Sequence, residues 1–107
     1  MGCIFCDIVA GHTPCRKVYE DEHVLAFHDI RPAAPVHVLV IPRRHIASML
    51  ELTPEDHTLM GHLTVTLPVI ARQLGLDRGF KLQVNTGRGG GQEVFHIHYH
   101  LLGHPSR

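Results

Sequence analysis

Apolar positions recur along this chain with two periods, and the change of period separates short strands from one long helix. Residues 3–10 form a short apolar stretch of one or two helical turns, ended by Gly11 and Pro14. Residues 18–20 and 24–28 read as two strands around the acidic turn Asp21-Glu22. Arg31-Pro32-Ala33-Ala34-Pro35 is a stiff loop, because two prolines fix φ and remove donors. Residues 37–42 are nearly continuous apolar, the pattern of a central buried strand. Thr53-Pro54-Glu55-Asp56 then supplies an N-cap, a proline at the first helical position and negative charge near the positive end of the helix dipole. Leu59, Leu63, Leu67, Ile70 and Leu74 follow at helical spacing and Gly75 offers a stop, while Pro68 is expected to bend the helix. Two further strands, 80–85 and 94–102, are joined by Thr86-Gly87-Arg88-Gly89-Gly90-Gly91-Gln92-Glu93. Strands, then a helix, then strands predict an α+β domain with a mainly antiparallel sheet.

Composition narrows the class. The 107 residues, 44% of them apolar, fit one domain over 1–107 with a modest core, and self-association would bury more apolar surface. No run is long enough to span a membrane and the start lacks a charged leader, so a cytoplasmic protein is expected. Ten basic and ten acidic residues cancel, which argues against a nucleic-acid-binding module but not against one nucleotide held locally. Eleven histidines are unusual for this length. Of the three cysteines, two lie in Cys3-Ile4-Phe5-Cys6, a spacing that in a reducing compartment points to metal or redox chemistry.

The chemistry concentrates in His96-Ile97-His98-Tyr99-His100. In a strand the three histidines share one face, while Phe95, Ile97, Tyr99 and Leu101 share the other and pack against the helix. Three readings follow: a merely polar strand face, a metal site chelated by alternate histidines, or a nucleophilic imidazole oriented by its neighbours. Spacing alone does not choose between the last two. The adjacent glycines do favour one, since successive N–H groups in such a loop form a concavity for an anion. The phosphate-binding loop of NTPases is not indicated, because no Gly-Lys-Ser/Thr follows the glycines.

His96 to Leu102 resembles the His-x-His-x-His-x-x signature of the histidine triad (HIT) superfamily. Phe27-His28-Asp29-Ile30, Pro35-x-His37, Val40-Ile41-Pro42-x-x-His45, Asn85-x-Gly87 and Gly90-Gly91-Gln92 resemble its Hint branch in order and spacing. The resemblance implies a five-stranded antiparallel sheet with one long helix and a short N-terminal helix, extended to ten strands in a homodimer. It implies hydrolysis of purine nucleoside monophosphate derivatives, with His98 as nucleophile and His100 as the neighbour contacting the phosphate or leaving group. Asp29 matches the ribose carboxylate, Phe27, His28 and Ile30 the base pocket, and Asn85, Gly91, Gln92 and Glu93 the ribose and phosphate positions. Cys3, Cys6, His45 and His96 match a structural zinc site found in some members. Buried apolar cysteines or a redox pair are the competing readings, and no organic cofactor is implied.

Chemistry agrees with these roles. A neutral imidazole attacks phosphorus at neutral pH and becomes a cationic leaving group. To do so His98 must carry its proton on the other nitrogen, held by an acceptor such as a backbone carbonyl. Donors from His100, Gln92 and the loop amides are expected to stabilise the phosphoryl oxygens. Asp29 also suits a plain turn position before Pro32. Two departures from the animal Hint pattern stand out: Glu93 replaces a serine, and the chain has no tryptophan-bearing tail, with His104 and Arg107 expected as solvated ends. The expected activity is a purine nucleoside phosphoramidase. Alternatives are a dinucleoside polyphosphate hydrolase, or a nucleotide-binding regulatory module with residual turnover.

Overall fold

The computed structural model describes residues 2–105. Five antiparallel strands lie in the order β1-β2-β3-β5-β4: β1 Lys17–Glu20, β2 Val24–His28, β3 Val36–Pro42, β4 Lys81–Gln83 and β5 Tyr99–Gly103. The register runs from Val24 opposite Pro42 to His28 opposite Val38, and from Val36 opposite Gly103 to Val40 opposite Tyr99. Every residue of β3 is buried because both faces of the sheet are covered, which is why its sequence is apolar throughout.

Alternation assigns the two faces. Val24, Ala26, Val38, Val40, Tyr99 and Leu101 point toward the long helix α2 (His57–Gln73) and pack on its Leu63, Leu67 and Ile70. Leu25, Phe27, Leu39 and Ile41 point the other way, against Phe5 of the short helix α1 (Ile4–Val9). Each fully buried Leu or Ile of α2 contributes about 1.5–3 kcal/mol, an upper estimate.

The capping signals act as expected, with one refinement. Thr53 and Asp56 form a reciprocal capping box, but Pro54–Asp56 wind as a 3-10 turn and the α-helix proper begins at His57. It runs through Pro68 to Gln73. Gly75, at φ +78°, ends it: Gly75 N–H donates to Arg72 (3.1 Å) and Leu76 N–H to Ala71 (2.8 Å), the paired bonds of a Schellman stop.

Three expectations need correction. The strand expected over 80–85 shortens to Lys81–Gln83, an exposed edge. The strand expected over 94–102 begins only at Tyr99; residues 94–98 bend away and Ile97 N–H bonds to the Ile46 carbonyl (2.6 Å) outside the sheet. Phe95 consequently leaves the helix-facing row and stays 43% exposed, while Ile97 keeps its place in the core. His104 is exposed, and Arg107 lies outside the described residues.

Candidate active site and metal centre

All ten residues expected to contact a nucleotide line one cleft of about 1120 Å³: Phe27, His28, Asp29, Ile30, Asn85, Gly91, Gln92, Glu93, His98 and His100. The sheet face covered by α1 supplies its floor, because β2, β3 and β5 present Phe27, Leu39 and His100 on that side. Ile30 stands 92% exposed at the rim.

Hydrogen bonds determine the tautomers, since a carbonyl only accepts and a backbone N–H only donates. His98 Nδ1–H donates to the His96 carbonyl at 2.8 Å, which leaves the Nε2 lone pair free. Ala33 N–H donates to His37 Nδ1 at 2.9 Å, so the His37 proton sits on Nε2. That Nε2–H donates to His100 Nδ1 at 2.9 Å, with the Asp29 carboxylate 3.3 Å away. His100 therefore carries its own proton on Nε2. The His98 and His100 rings lie 4.9 Å apart. Burial, then proximity to His98 and His37, pushes the His100 pKa down, with Asp29 opposing, so this imidazole is neutral at neutral pH.

Asp29, His37 and His100 also lie close enough to suggest a metal site. The Ala33 N–H argues otherwise: a His37 that accepts on Nδ1 could bind a cation through Nε2 only by losing its remaining proton. This cluster is a directed hydrogen-bond chain. Asp29 meanwhile accepts from Arg31 N–H (2.8 Å), the turn role, and retains lone pairs for sugar hydroxyls.

The glycine loop differs from the expected nest of free donors. The N–H groups of Gly87, Gly90, Gly91 and Gln92 are committed to acceptors inside the loop. Gln92, buried, donates its side-chain amide to the carbonyls of Ala47 (2.7 Å) and Val94 (3.0 Å) and accepts from Gly87 N–H (2.8 Å). Both of its side-chain donors are thus taken, and Gln92 holds the loop in shape. Asn85 does likewise through the Gly90 carbonyl (2.8 Å). Gly87 and Gly91, at φ +67° and +82°, make the turn in a region other residues rarely enter.

The four expected metal ligands meet around the His96 ring. His96 Nε2–H donates to the Pro42 carbonyl (2.8 Å), so Nδ1 offers its lone pair to the cluster. His96 Nδ1 lies 3.5 Å from Cys3 Sγ, 3.6 Å from Cys6 Sγ and 3.3 Å from His45 Nδ1, and Cys6 Sγ lies 3.3 Å from His45 Nδ1. The edges of a tetrahedron with zinc–ligand bond lengths are about 3.3–3.4 Å between nitrogens and about 3.6 Å between nitrogen and sulfur. The three spacings from His96 Nδ1 fit those edges, and the Cys6–His45 distance is about 0.3 Å shorter. Burial and then the adjacent Cys3 push the Cys6 thiol up in the field of the protein alone, and burial pushes the His96 pKa down. Only a shared proton or a cation reconciles lone pairs held this close, and two thiols with two imidazoles suit tetrahedral zinc. Cys15, half-buried, lines the nucleotide-sized cleft instead.

Two residues of the site carried no assigned role in the sequence. His37 sits inside what reads as a plain apolar strand; its cue was a lone imidazole on the face that alternation shares with Leu39 and His100. Phe5, between the two cysteines, sets its ring edge-on to His98 at 5.2 Å, and no sequence signal points there.

A sequence model of the HIT domain matches residues 10–106. Protein HitA of Neisseria gonorrhoeae is 50% identical over 103 residues, 96% of each chain. The crystal structure of a HIT family hydrolase from Legionella pneumophila Philadelphia 1 superposes with a TM-score of 0.93 at 43% identity, covering 98% of this chain and 95% of that one. A histidine triad nucleotide-binding protein from Candida albicans superposes at 0.84 with 31% identity, covering 99% and 85%.

Proposed function

The chain belongs to the HIT domain family, and from that premise we propose that it is a hydrolase of nucleotides acting through a nucleotidyl-histidine at His98. The substrate class is a purine nucleoside phosphoramidate, cleaved to AMP or GMP and an amine. One observation carries the reading: His98 gives its Nδ1 proton to the His96 carbonyl, so the Nε2 lone pair of a neutral imidazole is available beside a cleft of nucleotide size.

In the first step the His98 Nε2 lone pair forms a bond to the α-phosphorus as the P–N bond breaks. The departing amine takes its proton from solvent, and His100, a neutral imidazole, keeps its Nε2–H and donates it as a hydrogen bond to the phosphoryl oxygens, a tautomer that the His37 bond to His100 Nδ1 supports. In the second step water attacks phosphorus and gives its proton to solvent, and the P–His98 bond breaks to release the nucleoside monophosphate. Asp29 accepts from the ribose hydroxyls, and Phe27, His28 and Ile30 flank the base. Burial, then Arg16, lowers the His28 pKa, so His28 offers a neutral ring to a base.

Cys3, Cys6, His45 and His96 would hold zinc, which supplies a closed four-ligand cross-link with no open position for chemistry. One domain over 1–107 and a homodimer belong to the same reading. The dimer is supported by the exposed β4 edge with Leu82 and by Val65 and Val69 exposed on α2. Among the described residues no helix is long and apolar enough to cross a membrane, and free cysteines arranged as ligands suit a cytoplasmic setting.

Mass spectrometry of protein quenched during phosphoramidate turnover is expected to show one nucleotidyl group on the peptide holding residues 96–100. His98→Ala is expected to abolish turnover and the adduct while retaining AMP binding. A diadenosine polyphosphate assayed in parallel distinguishes the phosphoramidase from a dinucleoside polyphosphate hydrolase. Turnover by wild-type protein without any adduct on His98 rejects the mechanism.

A further inference from the structure

We propose that the Cys3–Cys6–His45–His96 cluster positions the nucleophile, acting on the His98 ring through the His96 carbonyl and the Phe5 side chain. The proposal rests on the reading of His98 as nucleophile and on the fit of the four ligands to a metal.

The sheet does not hold His98 in place. The ladder between β3 and β5 ends with Val40 opposite Tyr99, and His96 to His98 lie beyond it. This segment is held by the Ile97 side chain in the core, by the Ile97 N–H bond to Ile46 (2.6 Å) and by the His96 ring, which reaches Pro42 with one nitrogen and the cluster with the other. The acceptor for His98 Nδ1–H is the main-chain carbonyl of that same His96. A shift of the His96 side chain therefore moves the atom that fixes the tautomer and direction of the nucleophile.

A second contact comes from α1. Phe5 meets His98 edge-on, with centroids 5.2 Å apart and an interplanar angle of 88°, and also touches His96 at 6.0 Å and Phe27 at 5.5 Å. A helix of six residues has little stability of its own. Its N-cap is Cys3, whose sulfur accepts from Cys6 N–H at 3.4 Å, so the two cluster thiols bracket the residue that packs on the nucleophile. Joining Cys3 and Cys6 to His45 and His96 closes a clasp around His98: two ligands carry the ring beside it and a third carries its acceptor. Phe5 and His96 are positioning residues on this account.

Displacement of a reacting atom by about 1 Å costs on the order of a hundredfold in rate. The test compares zinc-loaded wild type, chelator-treated wild type, His45→Ala and Phe5→Leu. It reads metal content, circular dichroism, the ¹⁵N signals of the His98 imidazole, and kcat and KM on a nucleoside phosphoramidate. His45 is exposed, so its loss opens the clasp without cutting the core. Zinc-loaded wild type is expected to show His98 as one Nδ1–H tautomer. Chelated protein and His45→Ala, still folded, are expected to show exchange between tautomers and a kcat lowered about ten- to a hundredfold with a smaller change in KM. Zinc restores the chelated wild type. Phe5→Leu is expected to keep the metal, judged by an unchanged absorption spectrum of the cobalt-substituted protein, yet to lower kcat.

Should chelation unfold the chain, His45→Ala and Phe5→Leu decide. A folded, metal-depleted protein that keeps both the single tautomer and wild-type kcat overturns the proposal, as does metal-loaded Phe5→Leu with unchanged kcat and His98 signals. The imidazole signals do not depend on turnover, so a missing nucleotidyl adduct on wild-type His98 would reject the mechanism separately and leave the clasp to be judged by NMR.

Discussion

Replacing His37 with phenylalanine interrupts the directed chain behind His100 while keeping an aromatic ring of similar width at a position only 7% exposed. Two bonds are lost: Ala33 N–H no longer has His37 Nδ1 to donate to, and His100 Nδ1 no longer receives the His37 proton. Ala33 is exposed, so water replaces its acceptor at little cost. His100 is half-buried, and leaving its Nδ1 unpaired costs about 1–3 kcal/mol of stability. The catalytic effect follows from the tautomer bias. One hydrogen bond contributes about 0.5–1.5 kcal/mol net, which at about 1.4 kcal/mol per factor of ten is about a two- to tenfold preference for Nε2–H on His100. Removing it brings the two tautomers to about equal population, so the Nε2–H fraction falls from about 0.7–0.9 to about 0.5 and kcat on a nucleoside phosphoramidate is expected to fall by up to about twofold, with the dissociation constant for AMP changed less. His37→Gln, whose amide N–H can donate to His100, is expected to recover part of the loss. Steady-state kinetics, calorimetric AMP binding and urea unfolding measure the three quantities. Folded His37→Phe with wild-type kcat, or His37→Gln no better than His37→Phe, would refute the relay from His37 to His100.

Other perturbations test the scaffold. A Cβ added at Gly103 would lie 2.8 Å from Cδ2 of buried Leu76, so Gly103→Ala is expected to destabilise by about 1–3 kcal/mol in urea melts. Asp21 joins the β1–β2 turn to α2. Burial opposes its charge, but bonds from His23 N–H, His62, Tyr19 and Val24 N–H outweigh burial and hold its carboxyl well below the usual range. Because the folded pKa is depressed, that stability is fully present above the unfolded value of about 3.9 and is lost as pH falls below it. Asp21→Asn is therefore expected to lower the urea midpoint at neutral pH and to flatten its decline below about pH 4. Leu82→Lys, on the exposed β4 edge, is expected to shift sedimentation from dimer to monomer without loss of secondary structure.

Local periodicity explains what was legible in the sequence. Alternation along a strand is a backbone property, so the separation of His98 and His100 from Tyr99 and Leu101 was readable without a fold, and the unbroken apolar run 37–42 marked a central buried strand. The capping box at Thr53 and the glycine stop at Gly75 were equally local. The family signature extended this to the residues of the cleft, since ordered motifs report contacts that spacing alone does not.

Tertiary structure decided what depends on partners far along the chain. Strand β5 starts at Tyr99 because the Ile97 amide finds Ile46 instead of β3, a competition invisible in the residues 94–102 themselves. Proton positions follow the same logic: the side on which His37, His98 and His100 hold their protons is set by the Ala33 amide and the His96 carbonyl. A tautomer is chosen by whichever donor or acceptor folding brings near, and an imidazole in a sequence carries no such information. The amides of Gly87, Gly90 and Gly91 looked like free donors until they met acceptors within the loop. Cys3 and His96 are 93 residues apart, so their 3.5 Å contact exists only once the sheet has assembled between them.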